Sequence, residues 1–266
     1  MALGKRLINT GGVAACSTDS TDPFGDSSGV ALYSLDYDAS DASGSYDGTP
    51  TNVEFGVGGK INYGARFNGS SKIVVNKNVF TNTNVFSLSI WFKTDGTVST
   101  TQFLMDSTGG ASSGFQFYIN NSKLNFFNRS GVTNSTVLTS TTSVDNSSWH
   151  NAVITQNSSG FATMYIDGQV EVASTNLVTV LPSHNLDLHI GGYYTSTLGL
   201  DGDIDQVRIF SKALNQTEVD TLWNSGDGET ACVYDSTTDN VNYPFDNATN
   251  VEAYYKLDNS AEDETG

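Results

Sequence analysis

The sequence has few basic residues. Lysine and arginine together number 12 among 266 residues, against 29 aspartates and glutamates, so the formal net charge at pH 7 is −17. Phosphate backbones are bound chiefly by lysine and arginine, and this balance therefore excludes a nucleic-acid partner and disfavours adsorption to an anionic membrane. An excess of aspartate suits Ca²⁺, which prefers carboxylate oxygens, although solubility in a salty medium is an equally simple explanation.

Long apolar runs are also missing. No segment approaches the roughly 20 apolar residues that a membrane-spanning helix needs, so no membrane partner is expected. At the N-terminus, Lys5 and Arg6 are followed by only Leu7 and Ile8 before polar residues resume. This pattern lacks the apolar segment of a secretory signal, and we expect none.

Cysteine and histidine are scarce. Three histidines, His150, His184 and His189, lie far apart with no i, i+4 spacing, and there is no cysteine cluster, so zinc is not predicted. The two cysteines, Cys16 and Cys232, occupy equivalent positions of an internal repeat. They either form a disulfide that closes one module or have separate roles at two domain junctions, and their spacing does not decide between these.

The internal repeat is the most informative positive feature. Residues 31–44 (ALYSLDYDASDASG) recur at 253–266 (AYYKLDNSAEDETG) with seven identities in fourteen positions and no gap. Such self-similarity indicates an array of modules. The predicted organisation is a leader (1–14), a linker (15–29), a complete module (30–226), a second linker (227–250) and the first strand of a second, truncated module (251–266).

Short runs with strand character dominate the complete module. Asp167-Gly168 predicts a two-residue hairpin, and Asn120–Ser122 predicts another. The glycine-rich stretch at 56–60 lacks the full phosphate-loop signature and is interpreted as a turn. Predicted strands are 30–35, 65–67, 72–75, 86–93, 102–105, 115–119, 123–128, 149–156, 161–166, 169–172, 186–190 and 204–210.

One helix is predicted near the end of the module. Asn215 and Glu218 have the spacing of a capping box, Val219 and Leu222 begin an apolar face, and Gly226 suits the C-terminal stop. We expect this helix to pack against the edge of a sandwich.

The ordered set of motifs resembles laminin-G-like, concanavalin-A-like lectin/glucanase jelly rolls. It covers about residues 30–226 and implies an all-β sandwich of two antiparallel sheets with one short C-terminal helix. Fold alone does not assign a ligand. The segments that carry the resemblance are ALYSLD (31–36), ARFNGS (65–70), FSLSIWF (86–92), WHNAV (149–153), MYIDG (164–168) and GDIDQVRIF (202–210).

The glucanase branch of this fold carries its catalytic carboxyls in a Glu-x-Asp-x-x-Glu pattern on one strand. This sequence lacks that pattern, and the glutamates of the module are the scattered Glu54, Glu171 and Glu218. The resemblance therefore implies a non-enzymatic protein without catalytic residues, with a degenerate glycoside hydrolase as an alternative.

Related jelly rolls hold a structural Ca²⁺ where the loop after the first strand meets the closing strand. Asp41, Asp47 and Asp205 match that place, and the resemblance implies that they bind calcium. The alternative is that Asp41 caps a turn while Asp205 accepts hydrogen bonds from backbone amides. Asp201 and Asp203 share a strand face with Asp205 and suit calcium binding or protection of a sheet edge.

Carbohydrate binding requires exposed aromatic side chains among polar hydrogen-bonding groups. Tyr193 and Tyr194 follow Gly191-Gly192 and are the main candidates, with Asn125 and Tyr46 as weaker ones. Packing in the core or at the rim is the alternative role for the tyrosines.

The leader and linker resemble those of marine bacteriophage virion proteins that carry such modules. This implies folding in the host cytoplasm and a place on the virion surface, in a tail fibre, appendage or decoration. The expected partners are other virion proteins through the leader, copies of the chain in a homo-oligomer, and a host cell-surface glycan. A purely structural protein that binds only capsid or tail subunits is the alternative.

Overall fold

The computed structural model describes residues 21–80, 85–108, 114–130, 134–173, 187–195 and 198–228. The chain divides into two units, 1–231 and 232–266, and the second lies wholly outside the described residues. The predicted leader, both cysteines, His184 and the predicted second module also fall outside them, so those predictions stay untested.

Strands make up most of the described chain. They are β1 (Gly29–Tyr33), β2 (Thr49–Thr51), β3 (Glu54–Gly58), β4 (Tyr63–Asn68), β5 (Lys72–Val75), β6 (Phe86–Thr94), β7 (Gln102–Asp106), β8 (Gly114–Asn120), β9 (Lys123–Ser130), β10 (Asn134–Ser143), β11 (His150–Gln156), β12 (Ala162–Ile166), β13 (Gln169–Ala173), β14 (Leu188–Ile190) and β15 (Asp201–Phe210). One α-helix, α1 (Gln216–Trp223), and a 3₁₀ turn (Asn224–Gly226) follow β15 in the described part of the chain.

The strands form two antiparallel sheets. In the described residues the larger sheet has the order β13-β12-β11-β6-β15-β4-β3, with β1 also paired to β15, and the smaller has the order β10-β9-β8-β7-β14-β5-β2. The long strand β15 pairs with β4 through Asp201–Ile204 and with β1 through its C-terminal half. The predicted all-β sandwich of two antiparallel sheets with one short helix is confirmed.

The main core lies between the sheets. Alternate residues of β8 point into it, and Phe115 and Phe117 are fully buried there. Phe86 and Phe126, from opposite sheets, pack against Phe115 with ring centroids 6.3 and 6.0 Å away. Burying a side chain of this size contributes about 1.5–3 kcal/mol, so this aromatic layer is a major source of stability.

The helix begins as predicted but packs elsewhere. Asn215 accepts a hydrogen bond from the backbone of Glu218, whose side chain bonds back to Asn215, completing the capping box. The expected position at the sandwich edge is wrong. Val219 and Leu222 instead form a second core with residues of the larger sheet, because its outer face carries apolar side chains such as Phe210.

The hairpin predictions are confirmed, whereas three strands were missed. Asp167 and Gly168 have φ of 52° and 77°, as a tight two-residue hairpin requires, and Asn121-Ser122 turns the β8–β9 hairpin.

Strands β2, β3 and β10 were not predicted from the sequence. The turn predicted at 56–60 is wrong in its first half, because residues up to Gly58 form the edge strand β3, paired to β4. Strand β3 alternates apolar residues with glycine, which was interpreted as a turn signal, and the Ser/Thr-rich β10 lacks apolar alternation. Within the described residues no helix is long and apolar enough to cross a membrane.

Candidate functional site

A group of aromatic side chains covers part of the outer face of the smaller sheet, the face directed away from the main core. Phe103 on β7 stacks on Tyr193 with ring centroids 4.6 Å apart, and Tyr194 meets Tyr193 edge-on at 4.5 Å. Tyr118 on β8 extends the group, with its ring 5.5 Å from that of Phe103. We call Phe103, Tyr118, Tyr193 and Tyr194 the aromatic cluster. Its three tyrosines are half-buried, so their rings remain partly accessible.

Beside the aromatic cluster lies a buried carboxylate–imidazole pair. Asp106 ends β7 and His189 lies opposite it on β14, and both side chains face away from the main core. Asp106 Oδ2 and His189 Nδ1 are 3.8 Å apart, and neither atom has a hydrogen-bond partner among the described residues. We call these two residues the Asp106–His189 pair. Buried polar atoms are nearly always hydrogen-bonded, so two adjacent exceptions indicate a place where a further polar group binds.

Burial dominates the electrostatics of the Asp106–His189 pair. It raises the pKa of Asp106 to about 6, against weaker opposing hydrogen bonds from Thr108 and Gln116. Burial also lowers the pKa of His189, and the positive charge of Lys72 lowers it further. Desolvation disfavours the charged form of either group, so burial favours a neutral acid at Asp106 and a neutral imidazole at His189.

The loop that carries Tyr193 and Tyr194 is fixed at both ends of its first turn. Gly191 donates its N–H to the Leu104 carbonyl at 2.7 Å, and Lys72 Nζ donates to the Tyr194 carbonyl at 3.1 Å. Gly191 has φ of 71°, and a Cβ there would lie 2.1 Å from the ring of Phe67. Only glycine suits both conditions, which explains the residue that precedes the two tyrosines.

Comparison with known proteins identifies the family. Residues 67–220, more than half of the chain, match the family described as the Concanavalin A-like lectin/glucanases superfamily. The chain belongs to this superfamily. No curated protein matches the chain significantly.

Solved structures share this lectin-like jelly roll. Domain 4 of AbnA, an extracellular GH43 arabinanase from Geobacillus stearothermophilus solved with arabinotriose, aligns with a TM-score of 0.61 and 22% identity over 71% of this chain and 95% of that chain. The binding domain of Paraclostridial Mosquitocidal Protein 1 aligns with a TM-score of 0.65 and 18% identity, over 74% of this chain and 51% of that one. The binding domain of Botulinum Neurotoxin DC in complex with SialylT aligns with a TM-score of 0.60 and 19% identity, over 75% and 51%. The lectin-like chain thus spans about half the length of the two toxin domains, and at these identities the likeness shows the fold.

The predicted sugar-binding residues of this lectin-like chain divide into two groups. Tyr193 and Tyr194 lie together in the aromatic cluster. Asn125 is on β9 of the same sheet, but its amide donates to the Lys123 carbonyl and accepts from Thr139, both at 2.8 Å, and it is nearly buried. Tyr46 packs against the main core, and the structure shows no contact that brings it to the aromatic cluster.

Two of the predicted calcium ligands organise a loop. Asp41 accepts from the backbone of Leu32 at 2.9 Å and from the side chain of Ser43. The N–H of Asp41 in turn donates to Asp47 Oδ1 at 3.0 Å. Asp41 therefore caps a turn, as the alternative interpretation proposed. The described residues contain no group of three or more His, Cys, Asp or Glu side chains that could hold a metal ion.

The third predicted ligand, Asp205, is different. It is fully buried on the outer face of the larger sheet, where Oδ2 accepts from the Ile61 N–H at 2.8 Å. Its Oδ1 has no partner among the described residues. Burial raises the pKa of Asp205 to about 7, and the negative charge of Asp36 raises it further. Asp36 was not among the predicted site residues, although it ends the ALYSLD motif.

The other two aspartates of β15 are ion-paired. Asp203 lies 3.2 Å from Arg66 and 2.6 Å from Lys93, and Asp201 lies 3.7 Å from Arg66. Both aspartates thus take part in charge pairing across the larger sheet, and their suggested role in calcium binding or edge protection stays a prediction. His150 is buried, and its Nδ1 lies 2.7 Å from Asp167 Oδ2 next to the hairpin turn.

Phe103, Asp106 and His189 were not predicted to be site residues. The available signal was a polar residue inside or ending an apolar strand, in Leu-His-Ile at 188–190 and Phe-Leu-Met-Asp at 103–106. In a sandwich strand such a residue points away from the core, but only strand pairing shows that β7 and β14 are neighbours.

Proposed function

We propose that the chain is a non-enzymatic, glycan-binding module that receives sugar on the aromatic cluster. The observation that carries this proposal is the position of partly accessible tyrosine rings beside the Asp106–His189 pair, whose facing atoms lack partners among the described residues. Sugars present apolar C–H faces and hydroxyl groups, so they need both a flat apolar surface and nearby polar atoms. The neighbouring structures solved with arabinotriose and SialylT are consistent with this use of the fold.

The Asp106–His189 pair supplies complementary polar atoms. A hydroxyl group both donates and accepts a hydrogen bond. One hydroxyl, from sugar or water, therefore donates to Oδ2 of an ionised Asp106 while it accepts from an N–H at Nδ1 of His189. When Asp106 carries the proton and Nδ1 does not, the hydroxyl accepts from Asp106 and donates to His189. Satisfying two buried polar atoms removes a desolvation cost of roughly 1–3 kcal/mol for each.

The positions of the glutamates support a non-enzymatic module. Glu171 accepts hydrogen bonds from Thr141 and Thr142, and Glu218 belongs to the capping box of α1. Glu54 lies on the edge strand β3. A glycosidase needs two carboxyls facing one sugar, and each of these glutamates occupies a different part of the fold.

The experiment uses a glycan array and then calorimetry with the best glycan. Tyr193→Ala and Tyr194→Ala should each weaken binding about tenfold, which corresponds to ~1.4 kcal/mol for a ring that stacks on the ligand. Phe161→Ala is the matched control, because Phe161 is also an exposed ring but precedes β12 at the far side of the larger sheet. Equal glycan affinity of the wild type and its three variants would exclude the aromatic cluster as a sugar site. Absence of glycan binding by the folded wild type would exclude it as well. Release of sugar products from a polysaccharide by the protein would contradict the proposal that the module is not an enzyme.

The location that we propose is the surface of a phage particle, with the leader attached to other virion proteins and the chain present in several copies. This rests on the sequence resemblance of the leader and linker. Antibody labelling and mass spectrometry of purified particles test it, and absence of the chain from particles would contradict it. A particle protein that binds no glycan would support the structural alternative.

Calcium is a second part of the proposal. The buried, unpartnered Oδ1 of Asp205 and the nearby charge of Asp36 fit a hard cation, whereas the carboxylate of Asp41 already serves as an acceptor within its own loop. A cation there would relieve the cost of a buried negative charge.

A further inference from the structure

A second aromatic surface lies on the opposite sheet. Tyr37 is 71% exposed and Tyr63 is 44% exposed, and their ring centroids are 5.3 Å apart at 46°. Phe161 is the other exposed aromatic ring in the described chain, and the structure gives it no ring contact. Tyr37 and Tyr63 are thus the two exposed aromatic rings of the described chain that contact each other, and a patch of adjacent exposed rings suits an interaction surface.

The local backbone holds these rings in place. Leu35 has φ of 60° while its side chain is fully buried, and Asn62 has φ of 56°. A bulky residue with positive φ is rare and costs of order 1–3 kcal/mol. A hydrogen bond joins the two turns, because the N–H of Tyr63, which follows Asn62, donates at 3.0 Å to Oδ1 of Asp36, which follows Leu35. The turn after β1 therefore buries Leu35 and directs Tyr37 outward.

The charges around the rings are negative. Asp36 and Asp38 flank Tyr37 in the chain, and Asp205 lies close enough to Asp36 for their charges to interact. Lys60, three residues before Tyr63 in the chain, has its Nζ over the ring of Trp91, 5.1 Å from the ring centroid. Aromatic faces are themselves electronegative, so the rings and the carboxylates attract the same kind of ligand.

We propose that Tyr37, Tyr63, Asp36 and Asp38 form a binding surface for the lysine or arginine side chains of a basic partner protein. The negative charges disfavour an anionic ligand. One exposed cation–π contact contributes about 0.5–1 kcal/mol, and one exposed ion pair adds about 0–1 kcal/mol. A single contact is therefore weak, and we expect the partner to present several cations or several copies.

The test measures binding of a hexa-arginine peptide to the full chain by calorimetry, with a hexaglutamate peptide as the negative probe. NMR of the ¹⁵N-labelled protein locates the binding. Tyr37→Leu should weaken binding about threefold to fivefold, and Asp38→Asn should weaken it by a smaller factor. Phe161→Leu should leave the affinity unchanged, because Gly160 and Ala162 flank that ring in the chain and Asp36 and Asp38 flank Tyr37. Binding should also weaken between about 0.02 M and about 0.5 M salt.

Other results would overturn the proposal. Equal affinity of Tyr37→Leu and Phe161→Leu would assign the peptide binding to the general negative charge of the protein. A neutral glycan that loses binding in Tyr37→Leu would make this a sugar surface instead. Tyr194→Ala should not alter peptide binding, so failure of the sugar site and failure of this surface are separate outcomes.

Discussion

At the scale of single residues, burial acts on Asp106 and Asp205 more strongly than any partner does. Each carboxyl has one oxygen that accepts hydrogen bonds and one without a partner among the described residues. The unpartnered atoms are the features that suggest function, because a merely structural carboxylate would be expected to have its acceptors filled.

Asp106→Asn should stabilise the protein in alkaline solution. Burial raises the folded-state pKa of Asp106 from its ordinary 3.8 to about 6, so the stability cost of ionising it builds up between about pH 4 and pH 6 and stays constant above that range. We expect the variant to unfold with a free energy roughly 2–3 kcal/mol higher at pH 8 and to show no advantage at about pH 3. Urea unfolding at the two pH values measures this. An equal difference at both would mean that ionisation is not the cause.

Asp205→Asn should separate the charge of this residue from a metal-binding role. In EGTA at pH 8 the variant should melt above the wild type, because burial raises the pKa of Asp205 to about 7. With calcium, the wild type should gain several degrees and the variant should gain none. Asp47→Asn is the control, since Asp47 Oδ1 accepts the Asp41 N–H and an amide oxygen can do the same. A calcium response lost in Asp47→Asn and kept in Asp205→Asn would reverse the assignment.

At the scale of elements, the loop after β14 decides whether the aromatic cluster forms. Strand β14 is only three residues long, and its contacts with β5 and β7 place the glycines and tyrosines that follow it. In the function that we propose, this loop supplies the binding tyrosines and the sheet beneath it supplies rigidity.

Gly191→Ala should therefore disturb this loop. Its Cβ would meet the ring of the fully buried Phe67, and we expect a loss of about 2–3 kcal/mol in unfolding free energy together with weaker glycan binding. Gly69→Ala is the matched control, because Gly69 also has positive φ, at 78°, but a Cβ there has nothing within 4 Å. A similar loss in both variants would show that backbone strain, and not the contact with Phe67, is responsible.

At the scale of the whole molecule, groups with raised pKa values and groups with lowered pKa values change the stability of the fold in opposite directions as pH falls. Asp106 and Asp205 have raised pKa values, so they favour the folded state as pH falls through 7 and 6. His189 and Glu171 have lowered pKa values, so their contribution to folding stability is lost as pH falls below the ordinary values of those side chains. These ordinary values are about 6.5 for His189 and about 4.5 for Glu171.

The wild-type melting temperature should consequently rise as pH falls from about 7 to about 4 and decrease below about 4. In the metal-free protein, calorimetry between pH 8 and pH 3 measures the profile. A steady decrease from pH 8 downward would contradict the raised pKa values of the two buried aspartates. The double variant Asp106→Asn/Asp205→Asn should lose the rise between pH 7 and pH 4 and keep the decrease in acid.

The sequence by itself determined the helix cap at Asn215 and the Asp167-Gly168 hairpin, because these depend on local residue spacing and on which residues tolerate a given backbone angle. The fold class followed from the order of the motifs, which resembles that of lectin-like jelly rolls. The sequence also determined that Tyr193 and Tyr194 follow a glycine turn. Only the tertiary structure decided that Phe103, Asp106 and His189 join them, since strands distant in the chain become neighbours through sheet pairing. The same physical reason separates Asp205 from Asp41: each carboxylate has the role that its nearest backbone amides and its burial allow, and neither can be read from spacing along the chain.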